Sequence, residues 1–194
     1  MSKSDSGTAK KERNKTLRWV LTIFLITIIV SAVISFTSDF IMARSSMMVA
    51  FIILLAIVFI GIVFDVIGVA VTSADEKPFH SMASRKVPGA QEAIRLLRNA
   101  ERVSSICNDV VGDICGVISG SAAATIAAQV LSNIEMTFEK LIPLVMSALV
   151  AGLTVGGKAM GKTFAINSCT KIVHGVGKIV WAYRKLGKRN QKRK

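Results

Sequence analysis

Uncharged apolar runs alternate along this chain with short charged connections, and the runs are of membrane-crossing length. After a polar segment over residues 1–18, Trp19 to Ser38 contains no charged side chain and is rich in Ile, Leu, Val and Phe. A helix of about 20 such residues covers the ~30 Å of a hydrocarbon core, so an extra first span is predicted over 19–38. The run exceeds the apolar core of a signal peptide, about 7–15 residues, and no clear small-residue cleavage pattern follows it; a retained anchor is expected. Asp39 to Arg44 connect to a second run over 46–74, interrupted by Asp65 alone. At ~1.5 Å per residue that run is longer than a bilayer requires and should tilt or protrude.

Residues 75–102 are polar again. Within them Val87, Ala90, Ala93, Ile94 and Leu97 fall near one helical face and Arg95, Arg98 and Arg102 elsewhere, with Pro88 placed as a first-turn proline. This predicts an amphipathic juxtamembrane helix lying at the interface. A third span is predicted over 103–134 and a fourth over 141–162, its apolar pattern broken at Lys158. The carboxyl-terminal stretch predicts a second amphipathic helix with Trp181 and Tyr183 as interfacial anchors, then a disordered basic tail over 186–194. The expected fold class is all-α: a polytopic membrane protein of four transmembrane helices with two interfacial juxtamembrane helices.

Composition sharpens this picture. Of 194 residues, 52% are hydrophobic and 19% charged, the formal net charge is +13 and the mean hydropathy +0.53. One soluble core of this size cannot bury so large an apolar fraction, and the length leaves no room for an appended catalytic module. The positive charge has a topological cause. With residues 1–18, the 75–102 segment and everything from Lys158 onward on one side, that side collects every Lys and Arg except Arg44 and Lys140. The positive-inside bias then makes both termini and the central loop cytoplasmic, in the plasma membrane. The lipid bilayer is the expected partner; with 6% aromatics and no basic–aromatic interleaving, nucleic acid is not.

Two features could carry chemistry. The first is a ladder of small residues on the third span, Gly112, Gly116, Gly120, Ala124 and Ala128, which predicts close helix packing. Its neighbour is either the fourth span, with Gly152 and Gly156, or the same helix of a second subunit. The second feature is a set of acids inside apolar runs. Asp109 and Asp113 are one turn apart on one helical face with Asn108 beside the first. Counted by helical rise from the cytoplasmic ends, Asp65 and Asp113 lie at matched depths of roughly 14 and roughly 15 Å. Such carboxylates require a cation, a polar cavity or mutual pairing, and clustered oxygen ligands suit a hard cation such as magnesium. The expected metal ligands are Asp65, Asn108, Asp109 and Asp113. The alternative is that Asp109 sits near the interface and Asp65 pairs with Lys158 or Lys162 as a structural bridge.

Other motifs carry less. Gly156 to Thr163 reads GGKAMGKT, a formal P-loop match, but it follows an apolar span instead of a strand of a parallel sheet. Cys107, Cys115 and Cys169 lack zinc-ligand spacing and are expected to be buried thiols. His80 and His174 belong to no Ser/His/Asp or Cys/His constellation, and no enzymatic activity is expected.

The order of parts resembles a known family. Phe64 to Ala74, FDVIGVAVTSA, is similar to the FFSASETALTSA end of the first helix in the cyclin-M and CorB/CorC (CNNM) transmembrane domain. RKVPGAQEAIRLLRNAERVSS, from Arg85, resembles that family's juxtamembrane helix pair and the ERLLS start of its next helix. GKAMGKTFAIN, Gly157 to Asn167, resembles the GEILPKTIA signature that closes the last helix. The matches cover roughly 46–185. The resemblance implies a three-helix domain with a cytoplasmic loop, here preceded by one extra span, homodimerisation, and transport or efflux of a divalent cation, magnesium or cobalt. It also implies CBS-pair and C-terminal domains that this sequence does not contain, so a separate regulatory subunit is an expected partner. The family's Ser-Glu-Thr falls on Ile67, Gly68 and Val69, the Glu of its closing signature on Lys158 and the Pro on Gly161, while Asp65 falls on the first Ser of SASE. The runner-up function is a non-transporting membrane subunit or assembly factor. The two part on whether Asp65, Asp109 and Asp113 converge around a hydrated space.

Overall fold

A computed structural model describes residues 4–42, 46–131 and 141–191, and the fold over these is all-helical. Four of the helices are long and apolar enough to cross a membrane. In chain order the elements are α1 (Ser4–Met42), α2 (Met47–Ser73), α3 (Lys77–Ser84), α4 (Ala90–Arg98) and α5 (Ala100–Ser105). A π-helical segment (Ile106–Gly112) then leads into α6 (Asp113–Leu131), followed by α7 (Leu141–Asn167) and α8 (Cys169–Gln191). The candidate spans are Leu17–Ser38, Met47–Ser73, Ala100–Leu131 and Leu141–Asn167. The expected end of the third span at 134, the loop acids Glu135 and Glu139, and Arg44 and Lys140 lie outside the described residues.

Helix α2 is the centre of the structure, packed against α6, α7, α5, the π segment and α8. Its buried positions Ala50, Leu54, Val58, Gly61, Asp65 and Gly68 recur every three or four residues, the period of one helical face. At one end Ala50, Leu54 and Val58 meet Ala122, Ala123 and Ile126 of α6 and Val150 of α7. At the other, Ala70 and Val71 join Phe79 of α3, Ala93, Ile94 and Leu97 of α4, Ala165 of α7 and Val173 of α8. Helix α1 is peripheral: Ile23 and Val30 lie on Val110, Ile114 and Ile118, and Arg102 stacks 5.2 Å from the centre of the Trp19 ring. Outward faces of α1, α2 and α7 are strongly apolar, with Phe36, Met48, Phe59, Leu144, Leu149 and Val155 among the exposed side chains.

Several expectations are corrected. The 75–102 segment holds α3 and α4, separated by a turn, and the first residues of α5, because Pro78 sits in the first turn of α3 and Gly89, at φ 85°, precedes α4. The apolar face of α4 does not lie free for the bilayer surface: Ala90, Ala93, Ile94 and Leu97 are buried in the protein, where α8 covers the same stripe. Residues 186–191 belong to α8, so the tail expected to be disordered is helical to Gln191; 192–194 lie outside the described residues. Gly156 to Thr163 lies in the middle of α7. Its glycines serve packing, since a Cβ at Gly157 would overlap Ile62 and one at Gly161 would come 2.7 Å from Val66 Cγ2.

Candidate functional site

Between the two apolar clusters of α2 lies a polar site. Asp65 is 5% exposed, one turn beyond Gly61 and one before Gly68 on the face that meets the π segment. Its Oδ1 is 3.9 Å from Nζ of Lys158 on α7. The residues that make room are glycines. A Cβ at Gly112 would be 3.4 Å from Lys158 Nζ and 4.0 Å from Asp65 Oδ1, and a Cβ at Gly68 would overlap the amide of Asn108. A side chain at Gly112 would crowd the Asp65–Lys158 pair, and one at Gly68 would displace Asn108. Cys115 closes the same seam one turn along, its Cβ 2.9 Å from where a Cβ of Gly61 would stand.

Asp65 Oδ2 and Asn108 Oδ1 are both buried acceptors without a hydrogen-bond partner among the described residues. Asn108 uses its Nδ2 to reach Ser104 Oγ at 3.3 Å, which turns its carbonyl oxygen away from that bond. The pair with Lys158 is at the outer limit of an ion pair and engages one carboxylate oxygen. A carboxylate and an amide oxygen taken out of water without donors are costly, by about 1–3 kcal/mol for a neutral acceptor and more for a charge. The arrangement is therefore short of positive or donor groups by at least two contacts.

The four expected ligands are not gathered. Asp65 and Asn108 share the seam between α2 and the π segment, but Asp109 and Asp113 are exposed, and Asp109 Oδ2 accepts a hydrogen bond of 2.6 Å from Ser105 Oγ. Among the described residues no three His, Cys, Asp or Glu side chains form a group able to hold a metal. The reason is rotational. Ser104, Asn108, Gly112, Cys115 and Ser119 form the face set against α2 and its neighbours, one position off the face of the two acids. The bridge between Asp65 and Lys158, expected as the alternative, is present as a loose pair.

The small-residue ladder is likewise displaced. Gly112 is buried at the polar site, but among the described residues nothing lies within 4 Å of a Cβ at Gly116, Gly120, Gly152 or Gly156. The α6 face in contact with α2 and α7 is the adjacent one, carrying Ala122, Ala123 and Ile126, so the fourth span of the same chain is not the ladder's partner. Sequence reasoning missed Gly68 as the position that admits Asn108; its only signal was that it is one of two glycines, with Gly61, in a mostly bulky α2. Comparison with family models, curated proteins and solved structures gives no match for this chain.

Proposed function

We propose that this chain is a polytopic plasma-membrane protein of the cyclin-M/CorB type that transports a divalent cation, magnesium in the first instance, past Asp65 and Asn108. The observation that carries the reading is two buried oxygens along the α2 seam, Asp65 Oδ2 and Asn108 Oδ1, left without donors among the described residues, the first of them beside Lys158. Magnesium often keeps several waters and takes one or two carboxylates, so one carboxylate, one amide oxygen and water form a plausible coordination set for a cation in transit. Lys158 then acts as a tethered competitor: its ammonium neutralises Asp65 when the cation has left and is displaced when the cation arrives. Asp109 and Asp113 stand outside this set in the single chain. The exposed apolar faces of α1, α2 and α7 support a lipid surrounding, and both termini are assigned to the cytoplasm from the charge distribution.

A second reading is favoured by the pair itself. A neutral Asp65–Lys158 bridge, with the other two acids exposed, suits a non-transporting membrane subunit that keeps the fold. Lys158→Met separates the two. Under the transport reading it removes the competitor, and magnesium should bind about ten-fold or more tightly, since a neighbouring ammonium opposes a dication in a low dielectric. Asp65→Asn should abolish magnesium-dependent thermal stabilisation and efflux from cells lacking other exporters. If Lys158→Met and Asp65→Asn lower the melting temperature comparably and magnesium affects neither of them nor the parent, the bridge is structural and transport is wrong.

A further inference from the structure

Away from Asp65, a cavity of about 460 Å³ opens between the turn that precedes α4 and the middle of α8. That is the size of small-ligand sites, roughly 300–1,000 Å³. Lys86, Arg95, Arg184 and Lys185 line it together with one acid, Glu92, and the indole of Trp181. Glycine contacts bring its two walls together: a Cβ on Gly177 would stand 2.5 Å from the Gly89 carbonyl oxygen, and one on Gly89 would stand 2.6 Å from the Lys178 amide nitrogen. The cavity is thus built by the docking of α8 on α4.

Its cations are positioned. Arg184 Nη1 lies 3.6 Å from Glu92 Oε1, and Lys185 Nζ lies 4.8 Å from the centre of the Trp181 ring. The one acid is engaged by Arg184, which leaves Lys86, Arg95 and Lys185 without a carboxylate in the cavity wall. Lys86 adds a second kind of observation. Its backbone is at φ 56°, in the left-handed region, where glycine is comfortable and a side chain is strained. A lysine at this position accepts that strain while placing an ammonium group at the cavity.

We infer that this cavity binds a phosphate group, held by Arg95, Arg184 and Lys86 with Trp181 as the wall for whatever the phosphate carries. Guanidinium groups offer paired N–H donors that match phosphate oxygens, and a lysine adds a mobile point charge. The phosphate can belong to the head of an anionic phospholipid or to a soluble phosphate ester. The inference does not depend on cation transport.

The test uses the full chain in neutral detergent. Native mass spectrometry reads retention of phosphatidylglycerol against phosphatidylcholine, and titration with glycerol phosphate against chloride at equal ionic strength reads the soluble source. Preference for phosphatidylglycerol that glycerol phosphate does not displace identifies the lipid; displacement identifies the soluble ester. Arg95→Gln with Arg184→Gln should weaken the bound species about ten-fold or more, as loss of two charge-assisted contacts implies. Lys171→Gln, an exposed change on α8 outside the cavity, should change it less than about two-fold, as expected for screened surface charge. Lys86→Gly should keep or raise the melting temperature and still weaken binding, which a merely structural role of the turn would not do. Binding of neither probe above its control, equal losses from Lys171→Gln and the double variant, or undiminished binding in Lys86→Gly would each overturn the inference.

Discussion

At the scale of single residues, the polar site depends on side chains that are absent. The missing Cβ of Gly68 is the space into which the Asn108 amide fits. Gly68→Ala therefore cannot be accommodated by a small shift and must rotate Asn108 out of the seam. The expected result is a lower melting temperature, by an amount corresponding to about 1–3 kcal/mol for overpacking, and loss of any magnesium-dependent stabilisation. A melting curve with and without magnesium checks both at once. Retained magnesium response in Gly68→Ala would remove Asn108 from the cation path. Asp65 and Asn108 were legible in the sequence because polar groups inside an apolar run need partners. Their separation from Asp109 and Asp113 was not legible, because periodicity places the two acids on one face without saying which way that face points, and the neighbouring face, with Asn108 and Gly112, is the one turned to the seam.

At the scale of elements, unbroken apolarity located the four candidate spans to within about five residues where the structure describes them, but not the reach of α1, which begins at Ser4 inside the segment read as a polar tail. What it could not supply was the direction each face points. The ladder of α6 reads as a contact strip, yet among the described residues a Cβ at Gly116 or Gly120 would meet nothing within 4 Å, and close approach occurs where α2 presents Gly61 and α7 presents Gly157 and Gly161. The same limit explains α4: its amphipathic stripe was visible, but whether lipid or α8 covers it depends on tertiary docking. Paired substitutions expose the difference. Gly61→Ala places a methyl group 2.9 Å from Cys115 Cβ and should destabilise the fold by about 1–3 kcal/mol. Gly120→Ala meets open space and should be neutral or stabilising by up to ~1 kcal/mol through helix propensity. Equal destabilisation by both, measured by thermal unfolding of the purified chain, would mean that α6 is rotated from the orientation described.

At the scale of the whole molecule, two contacts far apart in sequence agree with the charge-based topology. Helix α4 lies before the third candidate span and α8 after the fourth, and the two pack on one another, which requires an even number of crossings between them. Arg102, near the start of the Ala100–Leu131 span, stacks on Trp19, near the start of the Leu17–Ser38 span. Those two helices therefore begin on the same side, again with an even number of spans between. The side so defined also gathers Lys77, Arg85, Lys86, Arg95, Lys171 and Arg184, the distribution that the positive-inside bias assigns to the cytoplasm. One helix, α2, separates Ser46 from Ser84, and both residues are exposed. In a variant with Cys107, Cys115 and Cys169 replaced by alanine, a single cysteine at Ser46 should react with a membrane-impermeant maleimide added outside intact cells. A cysteine at Ser84 should react after the membrane is opened and not before. Labelling of both from outside, or protection of Ser46 with labelling of Ser84, would overturn the proposed topology.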